Sequence, residues 1–166
     1  MHCRSRNPAE TRAVARSLGA AVGAEGLLIA LSGPLGAGKT VFVQGLAEGL
    51  GIDPRQVTSP TFVIAAHHQG PRHSLVHADL YRVEHEAELE AAGWLDWLAP
   101  PGVVAVEWAD RLPQALPAGR LEIRLSRPGA EGVREIRFSA TGDTAIRVLA
   151  RALGEGQIPT SEEAAG

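Results

Sequence analysis

A glycine-rich segment, GPLGAGKT at Gly33–Thr40, combines residue types that bind phosphate. It fits the spacing G-x-x-x-x-G-K-[ST], which in phosphate-binding loops follows a strand and opens a helix. Glycines let consecutive backbone N–H groups point at an anion, and the helix N-terminus adds partial positive charge. The Lys39 ammonium can reach the β- and γ-phosphates of a nucleoside triphosphate, and the Thr40 hydroxyl can contact Mg²⁺. The expected contacts are Gly36, Ala37, Gly38, Lys39 and Thr40.

Lys39 is the only lysine of the chain, since the other fifteen of its 16 Lys and Arg residues are arginines. Arginine and lysine carry the same charge but differ in shape, so a position that keeps the compact ammonium is one where shape matters. The same count excludes a guanine-specific GTPase, because the N/T-K-x-D motif needs a lysine downstream of the loop. A loop that merely turns the chain is the alternative; the apolar run before it and the helical pattern after it favour a phosphate site.

Two carboxylates stand at the ends of apolar runs that predict strands. Glu107 follows VVAV at Val103–Val106, as the acidic residue of a Walker B strand does, and Asp79 ends the run Leu75–Asp79. Ligands of parallel sheets bind at the carboxyl ends of the strands, so both side chains can face a nucleotide. We expect Glu107 to bind Mg²⁺ directly or through water, and Asp79 to hold a metal-bound water or to polarise the attacking one. A solvated strand-end carboxylate is the alternative for each.

The segment TSPT at Thr58–Thr61 lies between the helix after the loop and the next predicted strand. Switch proteins place a loop that senses the γ-phosphate at this point, and the hydroxyl of Thr61 can serve there. An ordinary turn before a strand is the alternative. The six histidines form no H-E-x-x-H motif and have no cysteine partner, so we expect exposed hairpin residues rather than a metal site. The three tryptophans are expected to pack in the core, with Trp108 singled out because it follows Glu107.

Hydrophobic periodicity predicts alternating helices and strands, and therefore a three-layer α/β fold. The sequence favours a mainly parallel central sheet with an added antiparallel pair, because some strands are wholly apolar and the last two alternate. The predicted helices are 8–22 (capped by Asn7), 39–50, 84–92 and 143–153, and the predicted strands are 26–31, 61–66, 75–79, 103–106, 120–126 and 133–139. Residues 1–153 are expected to form a single domain, followed by a disordered tail at 154–166.

Composition limits the classes of function. A chain of 166 residues with 45% hydrophobic and 21% charged residues is expected to fold, and it contains no apolar run that could cross a membrane. The formal net charge of −3 disfavours free nucleic acid as the sole partner. The single cysteine, Cys3, excludes an intramolecular disulfide. These features predict a soluble cytoplasmic protein.

The combined motifs resemble those of one family closely. The motifs are LSGPLGAGKT at Leu31–Thr40, TSPTF at Thr58–Phe62, DLYR at Asp79–Arg82 and VEW at Val106–Trp108. In this order and in so short a chain they resemble the TsaE (YjeE) family, the small bacterial P-loop ATPases of tRNA threonylcarbamoyladenosine biosynthesis. The resemblance spans roughly residues 8–153. Pro34 departs from the acidic residue that the family usually has there, which puts in doubt any role for an acidic side chain in the loop.

The resemblance implies a P-loop NTPase fold and an Mg²⁺-dependent ATPase that is weak alone and acts within a complex. The implied partners are the threonylcarbamoyl-transferase subunit and its paralogue, with tRNA reached only indirectly and hydrolysis supporting repeated turnover. Lys39 and Thr40 carry over as phosphate and Mg²⁺ contacts and Glu107 as the second Mg²⁺ position. Asp79 and Thr61 carry over as catalytic or switch residues, and Thr11 as a contact to the nucleotide base.

Two other functions stay open on the residues alone. A small-molecule kinase could use the same loop, although no arginine pair marks an obvious lid. A nucleotide-gated assembly module, in which hydrolysis is incidental, is the other alternative. Arginine fingers accelerate phosphoryl transfer by on the order of 10³–10⁵, and Arg82 beside the Asp79 strand end is an internal candidate.

Overall fold

A central sheet of seven strands organises the residues that the computed structural model describes, which are 1–60, 62–129 and 131–154. The strands are β1 (His2–Ser5), β2 (Leu27–Ser32), β3 (Ala65–Gln69), β4 (Ser74–Asp79), β5 (Val103–Glu107), β6 (Arg120–Ser126) and β7 (Arg134–Thr141). The helices are α1 (Pro8–Ala21), α2 (Lys39–Gly49), α3 (Glu86–Ala92), α4 (Trp94–Trp97) and α5 (Asp143–Leu153). Short 3₁₀ turns lie at Pro54–Gln56, Ala109–Arg111 and Pro113–Ala115.

The strand order across the sheet is β1-β7-β6-β2-β5-β4-β3. Strands β6, β2, β5 and β4 are parallel, whereas β1, β7 and β3 pair antiparallel at the two sides. The wholly apolar runs LLIA and VVAV form the middle of the sheet, because parallel strands are covered on both faces. The predicted three-layer α/β fold, with parallel strands at the centre of the sheet and added antiparallel strands, is confirmed.

Helices cover both faces of the sheet. Helices α1, α2 and α5 pack on one face around Phe42, Ile29 and Leu121. Helices α3 and α4 pack on the other face, where Trp94 and Trp97 lie against the parallel strands. The structural role expected for these two tryptophans is therefore confirmed.

Helices α1 and α2 pack so closely at several glycines that their backbones touch without side chains between them. A Cβ atom on Gly45 would collide with the carbonyl oxygen of Arg12, and one on Gly49 would collide with that of Arg16. Helix α1 begins as predicted, since the Asn7 side chain accepts a hydrogen bond of 2.9 Å from the backbone N–H of Glu10.

Several sequence predictions were wrong in detail. The strand predicted at 61–66 begins only at Ala65 and runs to Gln69, because Phe62 and Val63 are exposed beside a cavity instead of paired in the sheet. The strand β1 was missed, since four mostly polar residues carry no strand pattern. His73 and His77 are buried, against the expectation of exposed hairpin residues. Thr61 and the predicted tail at 155–166 lie outside the described residues.

Within the described part of the chain, no helix has the length and apolar character needed to cross a membrane.

Candidate nucleotide-binding site

The glycine-rich loop joins the end of β2 to the start of α2, as predicted. Gly33, Gly36 and Gly38 have φ angles of 140°, 74° and 102°, which side chains with a Cβ rarely adopt. Gly33 also lies against the backbone of β6, where a Cβ would collide with the carbonyl oxygen of Leu125. The loop therefore needs these glycines. It leads directly into α2, whose first residues, Lys39 and Thr40, are the last two of the motif.

The side chain of Lys39 bends back over this loop. Its Nζ donates to the carbonyl oxygens of Gly33 at 2.7 Å and Pro34 at 3.0 Å, and lies 3.8 Å from the centre of the Trp108 ring. Only 5% of Lys39 is exposed. Burial lowers the pKa of the ammonium group, and the charges of Glu107, Asp110 and Asp79 oppose that shift. A buried cation held by carbonyl oxygens and an aromatic face can exchange these contacts for phosphate oxygens.

Glu107 lies at the carboxyl end of β5, between Leu31 of β2 and Asp79 of β4. Thr40 Oγ1 donates a hydrogen bond of 2.8 Å to Glu107 Oε1, which joins the start of α2 to the centre of the sheet. The Nε2 atom of His77 lies 2.8 Å from the same oxygen. Only 3% of Glu107 is exposed, so the carboxylate depends on these groups for its hydrogen bonds.

Asp79 lies one strand away from Glu107 and anchors the segment that follows β4. Its Oδ1 accepts a hydrogen bond of 2.8 Å from the backbone N–H of Tyr81, and its Oδ2 accepts one of 3.3 Å from Ser59. Ser59 belongs to the predicted switch segment, so the structure brings this segment beside Asp79. Thr61, two residues further on, is outside the described residues.

Trp108 follows Glu107 in a left-handed conformation, with a φ of 56° that is unusual for a bulky residue. Its ring lies beside Tyr81, with the ring centres 4.9 Å apart, and presents a face to Lys39. Unlike Trp94 and Trp97, Trp108 is half-buried at the site.

Arg134, at the start of β7, contacts the loop from its other side. Its Nε donates to the carbonyl oxygen of Ala37 at 3.0 Å, and its Nη2 donates to that of Gly36 at 3.3 Å. Arg134 was not predicted as a site residue, because no local signal in the sequence relates a strand residue to a loop 97 positions earlier. The guanidinium of Arg134 therefore holds two carbonyl oxygens of the loop backbone in place.

A cavity of about 1070 Å³ opens in front of these residues. Its lining includes Thr11, Lys39, Asp79, Glu107, Trp108 and Arg134. Thr11 is buried near the start of α1, and its hydroxyl hydrogen-bonds to Ser5 at 2.6 Å. Arg82 also lines the cavity. The described residues that the sequence assigned to the site all line this cavity except Ala37, which is buried within the loop.

The oxygen atoms beside the loop fit a magnesium ion that is shared with a nucleotide. Among the described residues, no group of three or more His, Cys, Asp or Glu side chains could hold a metal ion by itself. Mg²⁺ typically takes one or two protein groups together with phosphate oxygens. The adjacent oxygens of Thr40 and Glu107 match that donor set.

Side chains at the mouth of the cavity are apolar and exposed. Phe62 is 94% exposed, and the exposed side chains of Leu35, Val63 and Tyr81 line the same cavity. We call these four residues the apolar rim. Exposed apolar groups that line one cavity are typical of a surface that contacts another molecule.

Comparison with known proteins gives one consistent result. The family model for "Threonylcarbamoyl adenosine biosynthesis protein TsaE" matches residues 5–136. The tRNA threonylcarbamoyladenosine biosynthesis protein TsaE of Bacillus subtilis is 44% identical over 140 residues, which are 84% of this chain and 85% of that protein. The protein of the same name from Treponema pallidum is 39% identical over 136 residues, which are 82% and 98% of the two chains. The crystal structure of Bacillus subtilis YdiB superposes with a TM-score of 0.72 at 36% identity, covering 92% of this chain and 93% of that one.

Proposed function

The chain belongs to the TsaE family, and from that premise we propose that it is the ATP-binding and ATP-hydrolysing subunit of the machinery that installs threonylcarbamoyl on the adenosine next to the anticodon of tRNAs. The observation that carries the proposal is the meeting of Lys39, Thr40 and Glu107 at the glycine loop. An ammonium group, a hydroxyl and a strand-end carboxylate beside such a loop are the parts that phosphoryl transfer to water requires.

In the proposed reaction, water attacks the γ-phosphorus of ATP in line with the β–γ bridging oxygen. The bond to that oxygen breaks, and ADP and inorganic phosphate leave. Lys39 transfers its hydrogen bonds from the carbonyl oxygens of Gly33 and Pro34 to the phosphate oxygens, and the N–H groups of Gly36–Thr40 surround them. Mg²⁺, when bound by Thr40 and Glu107, would supply positive charge beside the β- and γ-phosphates. Fixed positive charge of this kind stabilises the transition state because it needs no reorganisation during the reaction.

The other site residues would orient the water and the nucleotide. We assign Asp79 to hold or polarise the attacking water, because its carboxylate lies one strand from Glu107 and faces the same side of the sheet. Thr61 would report the γ-phosphate from the segment that Ser59 attaches to Asp79. Thr11 would lie near the base, although its hydroxyl is already bonded to Ser5, so the contact would be mainly steric. Arg82 would approach the phosphates from the DLYR segment.

The proposed partners are the threonylcarbamoyl-transferase subunit and its paralogue. The apolar rim supports a protein partner at the mouth of the site, since exposed aromatic and aliphatic groups favour protein contacts. A chain with a net charge of −3 would reach tRNA through these partners.

The Lys39→Ala variant tests the reaction. We expect it to release phosphate from Mg-ATP at least about 100-fold more slowly than the parent when the partner proteins are present, as for loss of a charge-stabilising donor. Lys39→Arg is the matched control, because it keeps the charge but cannot place a compact ammonium in the loop, and we expect it to stay impaired. Parental phosphate release by Lys39→Ala would refute the mechanism.

The same assay separates the alternatives. Phosphate recovered on an acceptor instead of in solution would indicate a kinase. A Glu107→Ala variant that abolishes hydrolysis but supports tRNA modification would make nucleotide-gated assembly the main role. ATP-dependent capture of the two purified partners on the immobilised chain would support the proposed complex.

A further inference from the structure

His77 is a buried polar residue to which the proposed reaction gives no role. It lies in the middle of β4, is 0% exposed, and faces the same side of the sheet as Asp79 two residues later. Its direct neighbour on β5 is Ala105, whose small side chain leaves room for the imidazole to reach diagonally to Glu107. The resulting distance from Nε2 to Glu107 Oε1 is 2.8 Å.

The direction of this hydrogen bond follows from the groups involved. An ionised carboxylate only accepts, so Nε2 of His77 carries the hydrogen and donates. The other ring nitrogen, Nδ1, has no hydrogen-bond partner among the described residues. A hydrogen on Nδ1 would be buried without an acceptor, which is costly, and the Nε2–H tautomer avoids that cost.

The Glu107 carboxylate, which His77 contacts, needs more restraint than the shorter aspartate that often occupies this position. Many P-loop NTPases place an Asp at the end of the corresponding strand. Glu107 has one more methylene group and therefore one more rotatable bond, so its carboxylate can take more positions. Two donors from different elements, Thr40 on α2 and His77 on β4, meet on the same oxygen and fix it.

We propose that His77 is a positioning residue that holds the Glu107 carboxylate in place for the magnesium–nucleotide complex. This inference rests on the proposed function, because it assigns Glu107 to the Mg²⁺ position. Groups that orient the ligands of a metal affect metal affinity or activity by roughly 10–100-fold when they are removed. His77 acts through Glu107 and does not touch the nucleotide.

Two variants and one affinity ratio test the proposal. The ratio is the dissociation constant for ATP in EDTA divided by that in excess Mg²⁺. His77→Leu fills the space without a donor, and we expect the ratio to fall roughly 10–100-fold while the affinity in EDTA stays parental. His77→Gln can place an amide N–H near the position of Nε2, so we expect its ratio to stay within about threefold of the parental ratio.

These outcomes separate positioning from packing. The inference is overturned if His77→Leu keeps the parental ratio, or if His77→Gln loses as much of the ratio as His77→Leu. Loss of affinity in EDTA as large as the loss in Mg²⁺ would also overturn it, because that pattern reports a damaged fold. Nitrogen-15 NMR of the histidine-labelled parent chain measures the tautomer of His77 directly, so this test does not depend on whether His77→Leu folds. It should show His77 as the Nε2–H tautomer, and an Nδ1–H tautomer would contradict the proposal.

Failure of the proposed function has a different signature. A parent chain whose ATP affinity rises with Mg²⁺, but which releases no phosphate with its partners, refutes hydrolysis while the ratio still decides the role of His77. A parent chain whose affinity for ATP is the same with and without Mg²⁺ refutes this inference and the Mg²⁺ assignment together.

Discussion

Removing Arg134 should weaken nucleotide binding although the residue lies outside the loop motif. Its guanidinium donates to the carbonyl oxygens of Ala37 at 3.0 Å and Gly36 at 3.3 Å. A hydrogen bond to a charged group contributes about 1.5–3 kcal/mol. Because the side chain is half-buried and the second bond is long, we assign about 2 kcal/mol to the two together. Without these bonds ATP must order the loop as it binds, and this cost lowers the affinity about 30-fold.

The variant is Arg134→Met, which keeps most of the aliphatic length and removes the donors. The dissociation constant for ATP in excess Mg²⁺, measured by isothermal titration calorimetry, should rise about 30-fold, since the loop loses its outer contacts. Arg137→Met is the matched control on the same strand, because its guanidinium is mostly exposed and pairs with Glu135 at 3.6 Å, away from the loop. ATP affinity of Arg134→Met within about threefold of the parent, or an equal loss in Arg137→Met, would refute the reasoning.

Two further predictions concern stability and reactivity. Gly49→Ala should lower the midpoint of thermal unfolding by roughly 4 °C, because overpacking against the backbone of α1 outweighs the gain in helix propensity. Gly119→Ala is its control, since a Cβ there meets nothing closer than 3.9 Å, and equal midpoints for the two variants would contradict the close packing. Burial raises the pKa of the Cys3 thiol, so it stays protonated to higher pH in the folded chain than in the unfolded one. Alkylation rates measured against pH should therefore rise later for the folded chain than for the same chain in urea, and coincident profiles would show that burial has no effect.

The parts of the fold that the sequence predicted are those with a local signal. The wholly apolar runs that precede Ser32 and Glu107 form central parallel strands, because only burial on both faces accommodates such runs. The start of α1 was predicted from Asn7 and Pro8, which act through neighbours within one turn.

The strands that were missed or placed too early in the chain, β1 and β3, depend on pairing with distant residues. The edge strand β3 reads AAHHQ, a polar pattern that becomes a strand only because β4 offers an unpaired edge. The apolar residues Phe62 and Val63 suggested that the strand began earlier, but these side chains belong to the apolar rim. An apolar residue that serves a contact surface cannot be distinguished from a core residue by hydropathy alone.

The site divides in the same way. Lys39 and Thr40 follow from a contiguous motif, and Asp79 and Glu107 follow from the rule that ligands bind at the ends of parallel strands. His77 and Arg134 depend on register between strands and on the docking of β7 beside the loop. Because residues two apart in a strand point to the same face, the sequence places His77 on the face of Asp79. It could not show that Ala105 leaves space beside His77.

The contact between α1 and α2 has a consequence for the shape of the cavity. Gly45 and Gly49 leave no gap into which either helix could shift, so the two helices are expected to behave as one rigid unit. One helix brings Thr11 to the cavity and the other brings the phosphate-loop lysine, so this side of the cavity has fixed dimensions. Adjustment to ligands of different size would have to come from other lining residues, such as Phe62 and Val63, whose exposed side chains lose few contacts when they move.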